Sequence, residues 1–221
     1  TDGVLVMEFV DGKLINDPAL NLAPEQLAEL GSRVAQSYVS QVVDEGFFHA
    51  DPHPGNIIVR GDEVVWIDLG MTGSLTAGEK SLLSQMFLAI AGRDSFALKD
   101  ALLGLARPQG PVDHGLLLQQ IQRLMGSYAN ADLASIDIGQ AMVEVVEVVR
   151  SQGFALPPSI TMLGRGFVTL EGVLAEIAPN TNVVGILGEH VERQMANIAS
   201  VSANLKEALS NSAASARAAT R

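Results

Sequence analysis

The chain has 221 residues, of which 48% are apolar, so it can bury a sizeable core within one large domain or two small ones. It carries 14 basic and 25 acidic residues, and the net charge of −11 argues against a nucleic-acid partner. Because it has no cysteine, disulfide scaffolds, thiolate zinc sites and cysteine nucleophiles are excluded.

The first element along the chain is an apolar, β-branched segment, Val4–Val10. This pattern predicts a strand, and because the chain begins with Thr1 rather than Met, we expect a fragment entered in the middle of a domain. After Pro24, apolar residues recur at helical spacing. This periodicity predicts a helix that ends near Gly46.

A β-hairpin is predicted next, from two short apolar runs, Ile57–Val59 and Val64–Ile67. The preceding segment, Phe47–Asn56, has two prolines and a glycine and is interpreted as an irregular loop. Beyond the hairpin, the pattern predicts five or six helices with N-caps at Thr76 (in a capping box with Glu79), Asp94, Asp113, Asp137 and Ser159. No run of eighteen apolar, uncharged residues occurs, so no transmembrane helix is expected in the chain.

Three polar residues around the hairpin carry the strongest chemical signal. Asn56 precedes its first strand, and Asp68 follows its second. Because the two ends of a tight hairpin lie close together, both side chains are expected to converge on one point. Carboxylate and amide oxygens suit Mg²⁺, which keeps part of its coordination shell for phosphates. A second carboxylate, Asp51, would orient an acceptor hydroxyl or water. Asp-x-x-x-x-Asn followed by Asp-x-Gly is the phosphotransferase pattern of kinase-like folds.

The segments Phe48–Asn56 and Asp68–Gly70 resemble the UbiB/ADCK atypical kinase family, and so does the later segment Leu156–Asn180. The resemblance implies a mainly α fold with a small β-hairpin. This would be the C-terminal lobe of a protein-kinase-like fold (α+β overall), with the N-terminal lobe missing. The implied regions are a hinge strand (1–12), a helical lobe (13–200) with a catalytic loop (47–56) and a metal-binding hairpin (57–70), and a low-complexity tail or linker (201–221).

Three residues receive a metal or catalytic role from this resemblance. Asp51 would be the catalytic base or orienting carboxylate, and Asn56 and Asp68 would be the magnesium ligands. The implied cofactors are ATP and Mg²⁺. The implied partners are a nucleotide, the missing N-terminal lobe, and a lipid or quinone precursor.

An adenine site is implied as well. The backbone of Glu8 and Val10 would hydrogen-bond the base in the hinge, and Ile58 would form the apolar floor beneath it. No lysine precedes Lys13, so the phosphate-binding lysine of an N-terminal lobe is missing. We therefore expect this chain to be inactive by itself.

The leading hypothesis is an ATP-binding, magnesium-dependent atypical kinase or ATPase. By resemblance it would support isoprenoid-quinone (ubiquinone-like) biosynthesis or lipid handling, in the cytoplasm and peripheral to or anchored at a membrane in the full-length protein. Ala50 and His53 stand where protein kinases have Arg and Lys, and Leu69 replaces the usual Phe. These departures favour a small-molecule or lipid-linked role, or ATP hydrolysis, over protein phosphorylation.

Three alternatives stay open. A small-molecule phosphotransferase of the aminoglycoside or choline kinase type has a similar His-x-Asp-x-His-x-x-Asn loop. A non-catalytic kinase-like scaffold would instead expose an apolar face to a partner. The pattern His49-x-Asp51-x-His53 could also hold zinc, although the intervening prolines break strand geometry.

Other polar residues have structural interpretations. His49 is expected to bond the backbone near the Asp-x-Gly turn, and His190 is expected on the surface of a helix. Arg165 and Glu171 are interpreted as an ion pair, either exposed or buried.

Overall fold

The chain folds into a helical lobe that carries small antiparallel sheets, so the expected fold class, mainly α with a small β-hairpin, is confirmed. The computed structural model describes residues 3–4, 6–128, 136–197 and 200, and the tail predicted at 201–221 lies outside them. The strands are β1 (Lys13–Leu14), β2 (Phe47–His49), β3 (Ile57–Arg60), β4 (Glu63–Trp66), β5 (Thr72–Ser74), β6 (Arg107–Pro108) and β7 (Phe154–Ala155). The helices are α1 (Pro24–Ser40), α2 (Ala77–Ala91), α3 (Ser95–Leu105), α4 (His114–Ser127), α5 (Ile138–Ser151), α6 (Pro158–Ile177) and α7 (183–197).

Helix α1 leads directly into the predicted catalytic loop. It begins at Pro24, whose fixed φ suits the first helical position, and continues into one π-helical turn, Gln41–Glu45. Gly46 then ends the helix with φ 72°, a left-handed geometry that glycine adopts without strain. The predicted end of this helix is therefore confirmed.

The predicted hairpin is confirmed as β3 and β4, which pair in the register Ile57↔Trp66 and Ile58↔Val65. Its turn is Gly61 and Asp62, and Gly61 has a φ of 58°. Strand β1 adds to the other edge of β3 in antiparallel orientation. Strand β3 is thus the central strand of a three-stranded sheet.

The segment interpreted as an irregular loop begins with a strand instead. Residues Phe47–His49 form β2, which pairs antiparallel with β5 in the register Phe48↔Gly73 and His49↔Thr72. Phe48 is fully buried, and a Cβ at Gly73 would overlap its ring. The pairing therefore depends on a contact between two residues that lie 25 positions apart in the chain.

The strand predicted over Val4–Val10 is wrong for its described residues, which are not in a strand. The side chains of Val6 and Phe9 are 88% and 87% exposed. In the described part of the chain, no strand pairs with this segment, and β-branched composition cannot form a strand without such a partner.

The predicted N-caps are confirmed for four helices. Thr76 forms a reciprocal capping box with Glu79 on α2, and Asp94, Asp113 and Asp137 accept backbone N–H bonds at the starts of α3, α4 and α5. The N-cap predicted at Ser159 is wrong because α6 already begins at Pro158. The hydroxyl of Ser159 donates to Glu79 at 3.0 Å instead.

The main core lies where α1 and α6 pack together with β2 and β3. A cavity of about 160 Å³ lies beside this core between α2, α5, α6 and α7, and its walls are almost entirely apolar. Within the described ranges, we find no helix that is both long and apolar enough to cross a bilayer.

Candidate active site

The two ends of the hairpin are joined by a backbone bond at the predicted site. Ile67 N donates to the carbonyl of Asn56 at 3.0 Å, which closes the open end of the hairpin one residue before Asp68. This bond between the two hairpin ends brings the backbone of Asn56 close to that of Asp68, as the sequence predicts.

Asp51 reaches the same end of the hairpin through the other sheet. It follows β2, whereas Asp68 precedes β5, and the two strands run antiparallel. The ladder continues beyond the strands, because Ala50 N donates to the carbonyl of Met71 at 3.0 Å.

The three predicted site residues differ in exposure. Asn56 is buried, and its Nδ2 donates to the carbonyl of Asp51 at 3.0 Å, which fixes the orientation of the amide. The side chain of Asp51 is half-buried, and Asp68 is exposed. Asp68 has a φ of 57°, a left-handed conformation that Asp and Asn tolerate better than most residues.

His49 links Asp51 to the segment before Asp68. Its Nδ1 accepts a bond from Asp51 N at 3.2 Å, so Nε2 carries the proton and donates to the carbonyl of Ile67 at 3.0 Å. The structural interpretation of this histidine is confirmed.

The zinc alternative is wrong for two reasons. Both ring nitrogens of His49 are bonded to the backbone, and Nδ1 of His53 accepts from Gly55 N at 3.0 Å. In addition, the described residues contain no group of three or more His, Cys, Asp or Glu side chains that could hold a metal ion.

The donor chemistry at the site fits a hard cation. Two carboxylates and one amide supply oxygen atoms, which are the ligands that Mg²⁺ prefers. The Nδ2 bond of Asn56 to Asp51 uses the nitrogen of the amide and not its oxygen. Asn56 therefore presents its amide oxygen in a fixed orientation, and the binding of one metal ion by Asn56 and Asp68 together stays a prediction.

One of the predicted adenine residues, Ile58, lies on the same face of the hairpin as Arg60. Ile58 and Arg60 are half-buried and alternate with the buried Val59, so they share a face of β3. Nη1 of Arg60 donates to Glu8 at 3.0 Å, which holds the predicted hinge against that face. This bond, with a second that Arg60 donates to Glu63, raises the pKa of Arg60. The carbonyl of Val10 accepts from Gly12 N at 3.1 Å. The adenine contacts themselves stay a prediction.

The prediction of a surface position for His190 is wrong. The residue is 9% exposed, and its Nδ1 lies 3.0 Å from Oδ2 of Asp44, in the π-helical turn. Gln194 Nε2 donates to the carbonyl of Val43 at 2.7 Å, which ties α7 to the same turn. Because 146 residues separate His190 from Asp44, no local sequence pattern could have indicated the contact.

Glu171 does not pair with Arg165, so the ion-pair prediction is wrong within the described residues. Its two carboxyl oxygens instead accept from the backbone N–H groups of Ile138 and Gly139, each at 2.7 Å. It thereby caps α5 from α6. Burial is the largest cause that raises the pKa of Glu171, and the hydrogen bond to Asp137 is the next. The two backbone N–H donors lower the pKa, and the net result is a pKa of about 8.

Sequence reasoning also missed two side chains that hold the backbone of His49. The hydroxyl of Tyr38 donates to the carbonyl of His49 at 3.0 Å, and Oε1 of Gln41 accepts from its N–H at 2.9 Å. Tyr38 is one of the buried residues of α1 and belongs to the series that recurs at helical spacing after Pro24. The sequence could not indicate the hydrogen bond of its hydroxyl, because a tyrosine at this spacing predicts only a buried side chain in the core.

Two family models match the chain in sequence order. The ABC1 atypical kinase-like domain matches residues 1–102, and the UbiB helical domain matches residues 121–182. The first match contains all the predicted site residues, and the second contains α5 and α6. Together the two matches cover most of the chain.

Curated relatives agree with these matches. An uncharacterized protein from the hydrogenase 1 5′ region of Clostridium pasteurianum is 32% identical over 199 residues, which cover 90% of this chain and 38% of the relative. The probable protein kinase UbiB of Shewanella pealeana is 26% identical over 199 residues, covering 87% and 36%. The Arabidopsis thaliana protein ACTIVITY OF BC1 COMPLEX KINASE 7, chloroplastic, is 28% identical over 195 residues, covering 86% and 28%. The chain thus spans well under half the length of these relatives.

A solved structure of Rv3197 from Mycobacterium tuberculosis, in complex with erythromycin, is also similar to the chain. The identity is 17%, the match covers 78% of this chain and 49% of that one, and the TM-score is 0.44.

Proposed function

Because this chain belongs to the UbiB/ADCK atypical kinase family, we propose that Asp51, Asn56 and Asp68 form the magnesium side of an ATP-binding phosphotransferase or ATPase site. The observation that carries the proposal is the set of bonds that joins their segments. These are Ile67 N to the Asn56 carbonyl, Asn56 Nδ2 to the Asp51 carbonyl, and the His49 ring to both sides.

Each residue has a defined part in this proposal. Asn56 and Asp68 would hold the metal through an amide oxygen and a carboxylate. Asp51 would orient the acceptor hydroxyl or water and accept its proton, for which its half-exposed carboxylate is suited. When bound, Mg²⁺ and ATP supply the transferable phosphoryl group and neutralise its charge.

The adenine base would lie on the face of the hairpin that carries Ile58. Two observations support this position. Ile58 is half-buried on the face opposite the core, and the ion pair of Glu8 with Arg60 holds the hinge segment along the same face.

The proposal extends to the class of reaction. Ala50 and His53 stand where protein kinases have Arg and Lys. The absence of these two side chains at positions 50 and 53 favours ATP hydrolysis or a lipid-linked acceptor over a protein acceptor. We place the activity in isoprenoid-quinone biosynthesis or lipid handling, peripheral to a membrane. The name of the Shewanella relative, probable protein kinase UbiB, agrees with a kinase-like role.

The test is nucleotide binding by the full-length gene product that contains these residues. Titration calorimetry with ATP and Mg²⁺ should give binding that EDTA abolishes. Asp68→Asn should weaken Mg²⁺-dependent binding about tenfold or more. The matched control is Asp62→Asn, which removes the same charge from the exposed turn of the same hairpin and should leave binding unchanged.

The alternatives give different results. A wild-type protein that shows no Mg²⁺-dependent nucleotide binding contradicts the proposal and favours the scaffold. An aminoglycoside or choline phosphotransferase would release ADP only when its small acceptor is added. The 221-residue chain by itself should show no ATP turnover, and turnover that Asp68→Ala abolishes would overturn that expectation.

A further inference from the structure

We propose that Tyr38 is a positioning residue for the active site, and that Gly166 of α6 is needed because a larger residue would displace the Tyr38 hydroxyl. The catalytic part of this inference rests on the proposed function. Its structural part, the placement of the loop that carries Asp51, stands independently of any nucleotide.

The backbone of His49 points away from its partner strand. Ala50 N donates to the carbonyl of Met71, and Leu75 N donates to the carbonyl of Gly46, so the backbone bonds that flank β2 and β5 are made by even-numbered residues of the first segment. The N–H and carbonyl of His49 therefore face α1 and the π-helical turn that follows it. There they meet side chains, namely Gln41 at 2.9 Å and Tyr38 at 3.0 Å.

Any movement of His49 is passed to the active site through its ring. One ring nitrogen holds the N–H of Asp51, and the other holds the carbonyl of Ile67, directly before Asp68. Tyr38 thus acts on two proposed functional residues through one intermediate residue.

Tyr38 is itself held rigidly. It is fully buried, with its ring centroid 5.3 Å from that of Phe167, edge to face, and 5.9 Å from that of Trp66. Burial raises the pKa of Tyr38 well above its ordinary value. Its hydroxyl therefore stays protonated and remains a donor to His49 at physiological pH.

Gly166 lies directly against this hydroxyl. A Cβ at position 166 would overlap the Tyr38 oxygen, and it would lie 3.3 Å from Cζ of Tyr38 and 3.5 Å from the carbonyl oxygen of His49. Gly166 is itself buried within α6. Since glycine costs helix stability in such an interior position, the close approach gives a physical reason for it.

This contact joins the two parts of the chain that the family models match. Tyr38 and His49 belong to the kinase-like match, residues 1–102, whereas Gly166 belongs to the helical match, residues 121–182. The helical part thus packs Gly166 against the Tyr38 hydroxyl, and this contact helps to fix the position of the loop that carries Asp51.

The experiment is a double-mutant cycle of Tyr38→Phe and Gly166→Ala in the full-length gene product. Tyr38→Phe should keep the fold but speed amide hydrogen exchange at Ala50 and Asp51 about tenfold, because one buried bond is lost. It should lower kcat for ATP about tenfold or more while KM stays within about twofold, since the adenine face is held by other contacts.

Gly166→Ala should lower Tm by about 5 °C or more, since the new methyl group has no room beside the hydroxyl. Adding Tyr38→Phe should recover about half of that loss, because it removes the overlapping oxygen. The control is Gly172→Ala on the same helix, where a Cβ meets nothing within 4 Å and Tm should not fall.

The outcomes separate the inference from the proposed function. A double variant no more stable than Gly166→Ala overturns the role of Gly166. Unchanged exchange at Ala50 and Asp51 in Tyr38→Phe overturns the positioning role, and so does a loss of kcat that disappears at a temperature where the variant is fully folded. If the wild type turns over no ATP, the proposed function fails, but the exchange measurement still decides the positioning.

Discussion

The site region, residues 47–74, and the helical region, residues 77–128 and 136–197, are held together by different interactions. In the site region, individual backbone groups are bonded by buried polar side chains, such as Tyr38, His49 and Asn56. In the helical region, apolar stripes pack against one another, and acidic side chains cap the helix starts.

This difference means that the site region mainly sets the positions of backbone atoms, whereas the helical region mainly sets the stability of the fold. Removing one polar group in the site region changes where a particular backbone atom lies, whereas the many apolar contacts of the helical region share the folding energy. We therefore expect substitutions in the helical region to lower the free energy of unfolding most. Substitutions of exposed site residues should instead change binding and leave stability nearly intact.

The largest effect is expected from a core truncation in α6. Leu170 is fully buried, and Leu170→Ala should lower the free energy of unfolding by about 2–5 kcal/mol through lost burial and a new cavity. Urea denaturation measures the change. Leu116→Ala, at a position that is 42% exposed on α4, is the matched control and should cost far less. Equal losses would show that the helical region is loosely packed.

The next effect concerns the cap that links α6 to α5. Glu171→Ala leaves the N–H groups of Ile138 and Gly139 without this acceptor and should lower the free energy of unfolding by about 1–3 kcal/mol. Urea denaturation at fixed pH tests this, and Glu176→Ala, at an exposed position of the same helix, serves as control.

The same residue predicts a pH dependence. The pKa of Glu171 is about 8 in the folded state against an ordinary 4.5, so the folded state binds the proton more tightly. Its contribution to stability is therefore full below about pH 4.5 and is lost as pH rises towards 8. Thermal denaturation across this range should show the decline in the wild type and a weaker one in Glu171→Gln. A steeper decline in the variant contradicts the assignment.

A smaller effect is expected at a single N-cap. Asp94 accepts from Phe96 N and Ala97 N, each at 3.0 Å, and Asp94→Ala should lower the free energy of unfolding by about 1 kcal/mol. Asp100→Ala, at an exposed site in the same helix, removes an equal charge without removing a cap. If the two variants are equally stable, charge rather than capping explains the loss.

The smallest effect on stability is expected at Asp68. This residue is exposed, and Asn also tolerates its positive φ, so Asp68→Asn should change the free energy of unfolding by no more than about 0.5 kcal/mol. Chemical denaturation measures the stability of this variant, and the nucleotide titration measures its binding of ATP. A loss of binding accompanied by a large loss of stability would remove the distinction between the two regions.

The helical region could be predicted well because its signals are local. Asp94, Asp113 and Asp137 each stand next to the helix that they cap, and a capping pattern spans only a few residues. The error at Ser159 is also local, since Pro158 was the stronger start signal.

The site could be predicted only in part. The spacing of Asp51, Asn56 and Asp68 predicts a metal and phosphoryl-transfer site, which stays a prediction, and the hairpin accounts for the approach of Asn56 and Asp68 along the backbone. The groups that fix the loop come from distant parts of the chain, as Gly166 does, and nothing in the sequence around His49 points to them. The predicted strand at Val4–Val10 failed for a related reason, since a strand depends on a partner that composition does not reveal.

The partly open apolar cavity of about 160 Å³ between α2, α5, α6 and α7 should make this protein sensitive to hydrostatic pressure. Unfolding eliminates the enclosed part of such a cavity and so reduces the volume of the system, which compression favours. The helices around the cavity should therefore unfold at lower pressure than the paired strands beside the predicted site.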